Sequence, residues 1–531
     1  MDKQLFERNV LALSKTDPLL CTRLSSALTS GGVYRFIESR SGQVIPALTS
    51  PGGAAHPLHS TVDPRKEGER LVSTLNEEGY IVFLGMGGGF GAEAALQRRG
   101  TKKVLALEYG ADGLAELLSS RDYMSLFGDP RFRLLADPSK TELEAYILNS
   151  YIPAIHGGIR VFPLRARAGT DERFWSAGET IKNTIESVSR DYSAQAYFGK
   201  RWFSNIIRNL PLAEKQKTSI PPIKRAAICA AGPSLDLHLP FIKKERDSKD
   251  RPFLIASDTS LPALLRAGIK PDAVISIDCQ HISYRHFFDP LPPETKLFLD
   301  LASPPPVAAR TENRVFFSSA HPLSLYIGRF WRALPVLDTS GANVTYAALS
   351  LAENLGARSL SLYGADFSYP LGKTYVRGAY IYPYFERLQS RYAPVEAQHS
   401  AFLYRDSSLE KITPETGDWY YETKTLRFYR ERARIKEAAI NSVTAGRERS
   451  IFSSGPFRQS AADFLQDYQK AVKGLCSFDG LEKTGTEAEL LTTLLPMAAS
   501  IRRTKPALDS PELFDMVKSV SLEELSRVIH N

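Results

Sequence analysis

Cysteine is scarce in this chain of 531 residues: Cys21, Cys229, Cys279 and Cys476 stand far apart, with no Cys-x-x-Cys spacing. That excludes a zinc ribbon or a disulfide-stapled scaffold and fits a reducing compartment. Long apolar runs are missing as well. The opening MDKQLFERNVLALSKTDP has no apolar core of signal-peptide length, and no run approaches ~18 apolar residues. The expectation is a cytoplasmic protein with no membrane span. Charge is not concentrated either: 67 Lys and Arg against 59 Asp and Glu leave a net +8. A mild basic bias suits anionic ligands such as sugar nucleotides, whereas a nucleic-acid partner would call for a denser basic footprint.

What is present is ordinary globular composition, 43% hydrophobic and 24% charged, in a length that implies roughly two to four domains. An amphipathic helix (Leu5, Phe6, Val10, Leu11, Leu13) opens the chain, and a Gly/Ser/Pro-punctuated stretch follows from Gly31 to Pro57. Asp63 to Glu77 reads as a helix. The segment YIVFLGMGGGFGAEAALQRRGTKKVLALEYG then sets a strand (Tyr80 to Leu84) against a glycine loop (Gly85, Gly87, Gly88, Gly89, Gly91), a helix, and a second strand ending on Glu108. This is a Rossmann-like pattern, with Glu108 placed 19 residues after Gly89. Later strand ends offer no catalytic cluster to go with it, and helix–strand packing also explains the glycines. The loop is therefore expected to serve structure or partner recognition.

Residues 170–215 read as a helical connector, and Pro221-Pro222 marks a boundary. The organisation expected is 1–60, an N-terminal helix and short strands; 61–165, a Rossmann-like domain; 166–222, the connector; 223–410, a second α/β domain; and 411–531, a helical region. That region should close on an acid-capped helix, Ser521 to Val528. The fold class is α/β, with two Rossmann-like units.

Three segments of the second α/β domain share one grammar: a short apolar strand that ends in small or polar residues, at the sheet edge where open α/β folds bind ligands. In RAAICAAGPSLDLHLPFI, strand Ala226 to Ala230 meets Gly232-Pro233-Ser234-Leu235. Gly232 lets a phosphate approach, and Ser234 caps a helix whose N-terminus favours an anion. In FLIASDTSLPALLRAGIKPDAVISIDCQ, strand Phe253 to Ala256 ends on Ser257-Asp258, helix Leu261 to Ala267 follows, and strand Ala273 to Ile277 ends on Asp278. In DTSGANVTYAALSLAENLGARSLSLYGADFSYP, Ser340, Gly341 and Asn343 open an alanine-rich helix, and strand Ser359 to Tyr363 ends on Gly364-Ala365-Asp366. A loop rich in tyrosine follows (Tyr369, Tyr375, Tyr380, Tyr382, Tyr384), offering flat faces for sugar stacking and hydroxyls for hydrogen bonds.

Together, GPSLD, ASDTSL…GIKPDAVISID and GANVTYAALSLAENLGA…LYGADF resemble the core of the motility-associated factor family over roughly residues 224–385. The resemblance implies a sialyltransferase-like catalytic domain. It implies transfer of a nonulosonic (sialic-like) acid from its CMP derivative to Ser/Thr of flagellin, in support of flagellar assembly and motility. No cofactor and no metal is required beyond the CMP-activated sugar. Related bacterial sialyltransferases hold the nucleotide with a Gly-Pro-Ser-Leu turn and the polar end of the next strand. Those roles carry over to Gly232, Pro233, Ser234, Leu235, Ser257 and Asp258. Where many relatives read Thr-His-Ala, this chain reads Thr374-Tyr375-Val376.

Departure of CMP from such a sugar calls for an anion cradle and a base for the acceptor hydroxyl. The cradle candidates are the Gly232–Ser234 turn and Asn343, with Ser340, Gly341 and Gly364 beside them. The base candidates are Asp366 and Asp278, then His281 or His321, and Tyr375 can donate to the leaving phosphate. Two other readings stand beside this one. The first is a Mg²⁺-dependent diphosphokinase related to hydroxymethylpterin diphosphokinase, which calls for clustered carboxylates where this strand end has Asp278 alone. The second is a non-catalytic flagellar scaffold or chaperone.

Overall fold

The computed structural model describes residues 2–27, 32–49, 54–76, 78–164, 171–216, 219–442, 452–482 and 484–530. The chain divides into two compact units, Met1–Tyr197 with Arg502–Ser510, and Phe198–Ile501 with Pro511–Asn531.

The first unit begins with helix Lys3–Ser14, which buries Phe6 and Leu13, and an antiparallel sheet of Tyr34–Glu38, Val44–Thr49 and Ala55–Pro57. Where the sequence predicts a helix over Asp63 to Glu77, the helix is Pro64–Val72, started by the Asp63 carboxylate on the N–H groups of Arg65 and Lys66; Glu77 lies outside the described residues. A parallel sheet follows: β1 (Glu78–Leu84), β2 (Lys103–Glu108), β3 (Phe132–Ala136) and β4 (Gly158–Pro163), in the order β3-β2-β1-β4, with α1 (Phe90–Gln97) between β1 and β2. Tyr80 to Leu84 form a continuous buried apolar run, as a parallel strand covered on both faces demands. Three glycines of the loop take positive φ (Gly85 +101°, Gly87 +53°, Gly89 +77°), a conformation that costs a residue with a Cβ. The loop's groups are engaged within the unit: Gly88 N–H donates to His59 Nε2 at 2.8 Å and Met86 N–H to the Glu108 carboxylate at 3.0 Å. A cavity of about 470 Å³ lies by Tyr109, Asp137, Ser139, Lys140 and Arg173.

A single helix, α2 (Glu172–Glu214), accounts for the predicted connector where it is described; residues 166–170 and 217–218 lie outside the described residues. Its second half belongs to the second unit and braces the strand ends there. Asn205 Nδ2 donates to the carbonyls of Cys279 and Ala302 (3.1 and 2.8 Å), and Asn209 Nδ2 to those of Leu301 and Ser303 (2.9 and 2.8 Å). These bonds satisfy backbone carbonyls that burial would otherwise leave without a partner.

The second unit is built on six parallel strands: β5 (Arg225–Cys229), β6 (Phe253–Ser257), β7 (Ala273–Ser276), β8 (Lys296–Asp300), β9 (Arg314–Phe317) and β10 (Ser359–Tyr363), in the order β9-β8-β7-β6-β5-β10. Helices α3 (Leu235–Arg246) and α4 (Leu261–Arg266) follow β5 and β6, and α5 (Val344–Asn354) precedes β10. The order steps outward from β5 to β9 and then returns to the other side of β5. The topological switch therefore falls between β5 and β10, the position at the carboxyl edge where open α/β sheets bind ligands. The strands found from the motifs keep their places within a residue or two. β8, which ends on Asp300, and β9 were not singled out in the sequence.

The C-terminal region includes α6 (Ile381–Leu388), α7 (Val395–Leu403), α8 (Lys424–Asn441), α9 (Thr486–Thr504) and α10 (Ser510–Ile529). The expectation of a helix beginning at Ser521 is corrected. Ser521 lies inside α10, fully buried, because nothing in VKSVSLEEL breaks the helical run that begins at Ser510.

Asp300, at the end of β8, is buried and accepts the Ala302 N–H at 2.7 Å. Burial pushes its carboxyl up to about 6, against the pull of Ser319 and that N–H. A folded pKa above the unfolded value stabilises below the unfolded pKa, and this contribution is lost as pH rises through about 6. Asp300→Asn removes the titration. The wild type should therefore lose up to about 3 kcal/mol relative to this variant between about pH 4 and pH 7. Melting both proteins across that window checks it; a constant difference contradicts the assignment.

Candidate active site

The switch point is closed by two loops that approach through glycine. From the end of β5, Ala230 N–H donates to Tyr363 O at 2.8 Å and Gly232 N–H to Gly364 O at 2.7 Å, so the loops after β5 and β10 are laced together. A Cβ on Gly232 would lie 2.5 Å from both Gly364 O and Asp366 Oδ2, which is why only glycine fits. Gly364 takes φ +65°, and a Cβ there would meet Ala230 O at 2.5 Å. The structure thus brings Gly232, Ser234, Leu235, Gly364 and Asp366 together.

Their local roles differ from the sequence reading. Ser234 makes no side-chain cap on α3; its hydroxyl donates to Asp366, and its N–H donates to Asp366 Oδ2 at 2.9 Å. The anion at the N-terminus of α3 is therefore the chain's own carboxylate, for the electrostatic reason that made a phosphate plausible there. Asp366, a base candidate in the sequence, has both oxygens accepting from Ser234. Leu235 places its side chain in the core, fully buried, and Pro233 joins the turn through its carbonyl, which accepts from Asp236 N–H.

At the end of β6, Ser257 is also spent locally. Its Oγ accepts the Ser260 N–H at 3.2 Å and bonds the Ser260 hydroxyl at 3.0 Å, and the residue is buried. Asp258 is buried beside it. One oxygen accepts Thr259 N–H and Oγ1 (2.7 and 3.0 Å), and the other accepts the Ser276 hydroxyl at 2.7 Å. Asp278, two residues past β7, is half-buried and accepts the Gln280 N–H at 2.9 Å. Burial holds its carboxyl above the usual carboxylate range. The Asp258 charge adds to this, while Gln280 and His286 oppose it.

The tyrosine-rich loop covers these carboxylates. Val376 N–H donates to Ala231 O at 2.9 Å and ties the loop to the β5 turn. Burial raises the Tyr375 phenol, with the Tyr380, Tyr369 and Asp258 fields adding to it and Arg405 opposing. Burial likewise raises Tyr380, on which Arg405, Arg285, Asp258 and Asp278 all act. Two phenols kept neutral by burial thus lie within the field of Asp258, and Tyr380 within that of Asp278 as well. His399 of α7 reaches Thr374 at 3.2 Å, bringing an imidazole beside the stretch that reads Thr374-Tyr375-Val376.

Ser340, Gly341 and Asn343 gather at the start of α5. Asn343 Oδ1 accepts the Tyr346 N–H at 2.9 Å and its Nδ2 donates to Gly341 O at 2.8 Å, so this amide is a helix cap. Ser340 takes the Arg432 guanidinium at 2.8 Å, and Gly341 lies against the Tyr346 ring. Of the histidines, His281 is exposed, while His321 caps helix Pro322–Phe330 by accepting the Leu323 N–H, and burial depresses it to about 3. Among the described residues, no group of three or more His, Cys, Asp or Glu is arranged to hold a metal ion. Sequence reasoning missed His286, Arg285, Arg405 and His399. They come from a 3₁₀ turn and from α7 or its end, whose sequences carry no motif.

The parallel six-stranded sheet, with acidic residues gathered along its carboxyl edge, defines the class: an open α/β fold of the doubly wound type. Residues 200–372 match the family described as 6-hydroxymethylpterin diphosphokinase MptE-like. The fold as a whole is that of the MAf glycosyltransferase from Magnetospirillum magneticum AMB-1, with a TM-score of 0.57 at 14% identity, over 100% of this chain and 95% of that one. The chain carries a MAf-type fold around an MptE-like core. It is also similar to uncharacterized proteins of Treponema pallidum (strain Nichols). One is 35% identical over 26% of this chain and 66% of its own length, a second 36% identical over 22% and 40%, and a third 31% identical over 37% and 34%. The matches thus span less than two thirds of those relatives' length. No described helix is long and apolar enough to cross a membrane.

Proposed function

We propose that the second unit is a glycosyltransferase that moves a nonulosonic acid from its CMP donor to Ser/Thr of flagellin in the cytoplasm. The observation that carries this reading is the half-buried Asp278, held above the usual carboxylate range within the field of Asp258 and of the phenol of Tyr380. A carboxyl raised in this way is a stronger base than an ordinary carboxylate and can take the proton of a hydroxyl. In the reaction, the acceptor oxygen bonds the anomeric carbon as the bond from that carbon to the CMP phosphate breaks. Asp278 takes the hydroxyl proton, and Tyr375, a phenol that burial keeps protonated, donates to the departing phosphate. The cytidine of the donor lies along the carboxyl edge between Gly232–Leu235 and Gly364, Ser257–Asp258, and Ser340, Gly341 and Asn343, with Asp366 holding the turn. No cofactor and no metal takes part. The first unit is assigned a structural or acceptor-presenting role, supported by the His59 and Glu108 contacts that engage its glycine loop.

The test is incubation of the protein with a CMP-activated nonulosonic acid and flagellin, followed by mass spectrometry of the flagellin. The expected result is addition of one sugar mass per site with CMP released, in the presence of chelator. A second reading, diphosphoryl transfer from ATP, is favoured by the MptE-like match and by two carboxylates at neighbouring strand ends. Consumption of ATP with hydroxymethylpterin that needs Mg²⁺, and no sugar transfer, would establish that reading instead.

A further inference from the structure

A cavity of about 590 Å³ opens in the second unit between α4, the 3₁₀ turn His281–Phe287 and α6. Arg266, Arg285 and Arg387 line it, with Asp289 as the single carboxylate among the lining residues. Among the described residues, none of the three guanidinium groups is ion-paired, whereas Arg246 in the same unit is clamped by Asp272 at 2.6 Å. Two of the three are set in place by their neighbours. Arg266 passes under Gly378 (φ +87°), where a Cβ would lie 2.9 Å from its guanidinium. Arg285 lies over the Tyr384 ring at 4.5 Å, which fixes the plane of its five donors.

A second, independent feature lines the same cavity. His286 is only 8% exposed, and its Nδ1 is buried with no hydrogen-bond partner. Its ring meets Tyr380 edge-on at 4.7 Å. A buried ring nitrogen left without a partner is costly, and the ring that carries it forms part of the wall beside the three guanidinium groups. Phe288, Tyr384 and Leu388 stand exposed among the lining residues and offer apolar faces to a ring. Tyr380 links the cavity to the carboxylates, since Arg285, Asp258 and Asp278 all act on its phenol.

We propose that this arginine cavity, and not the Gly232–Ser234 turn, binds the oxyanion of the substrate: a phosphate or carboxylate borne on a hydroxylated ring. The inference rests on the transferase reading, in which the donor carries both groups. The anion position at the head of α3 is already held by Asp366, and the cavity supplies three cations with no carboxylate paired to them. Guanidinium forks match planar oxyanions bidentately, and an unpaired fork on a cavity wall retains that capacity.

The test is calorimetric titration of the full chain with CMP, N-acetylneuraminic acid and inorganic phosphate, with neutral cytidine as control. The variants are Arg266→Gln, Arg387→Gln and their double; both positions are exposed, so folding is expected to survive and is checked by melting. The double variant should bind the anionic probe about tenfold or more weakly, with cytidine unaffected. Arg285→Lys, which keeps the charge and loses the fork, should show a smaller loss. Weakened CMP binding identifies the phosphate as the occupant, and weakened N-acetylneuraminic acid binding identifies the carboxylate. No anionic probe binding the wild type, or equal affinity in the double variant, overturns the proposal. These readouts do not depend on turnover. Lost probe binding with no sugar transfer would leave the cavity standing and remove the transferase reading, and transfer with unchanged binding would do the reverse.

Discussion

Replacement of Asp278 by asparagine is expected to lower the rate of sugar transfer by about 10²–10⁴-fold while the protein still folds and binds nucleotide. The amide keeps the shape and can still accept the Gln280 N–H that the carboxylate accepts at 2.9 Å. It cannot take a proton from an acceptor hydroxyl. Because burial and the Asp258 charge hold the Asp278 carboxyl above its ordinary range, the wild-type rate should rise with pH through that raised pKa and then level. The same shift makes the ionised side chain a cost to the fold, so Asp278→Asn should melt no lower than the wild type at neutral pH. Rate and melting measured together separate the possibilities. A variant with unchanged rate removes Asp278 as the base, and an inactive variant that melts far lower would show a structural role instead.

Gly199→Ala is expected to destabilise the second unit by about 3 kcal/mol or more, although alanine is the better helix former by about 1 kcal/mol. Gly199 sits within α2 where α9 crosses it. A Cβ there would lie 1.8 Å from the carbonyl oxygen of Pro496 and 2.3 Å from its carbon. Backbone cannot yield as the end of a flexible side chain can, so the two helices must separate. Pro496 is buried in α9, among the apolar side chains of Leu491, Leu494 and Met497. Thermal melting checks the effect, with Ser193→Ala at an exposed position of the same helix as control. A Gly199→Ala protein as stable as the control would mean that this crossing is not close.

Much of the second unit was legible before any coordinates. Strands β5, β6, β7 and β10 are short apolar runs that end in small or acidic residues, and this pattern reports both a buried parallel strand and its carboxyl edge. The glycines at 232 and 364 were found as points of close approach, but not what approaches. Sequence pointed to a phosphate at the head of α3; the structure puts Asp366 there, across 132 residues of chain. Ser257 and Asn343 were read as ligand groups because Ser and Asn do both jobs, and here their side chains bond the neighbouring turn and helix start. β8 ends on Asp300 and β9 runs into Ser318-Ser319, the same grammar as β6 and β7, and both were passed over.

By itself the sequence determined the periodicities: which runs are β5, β6, β7 and β10, that residues 170–215 read as helical, and that acidic residues follow β6 and β7. Those follow from local burial patterns, which repeat within a few residues and need no distant partner. Only the tertiary structure decided which acidic side chain meets which. Asp366 is latched to Ser234, Asp258 is satisfied by Thr259 and Ser276, and Asp278 is left half-buried with its carboxyl raised. The same holds for the cavity, where Arg266, Arg285 and Arg387 converge from α4, a 3₁₀ turn and α6. A pKa shift and an unpaired cation depend on burial and on charges brought close in space, and no spacing along the chain encodes either one.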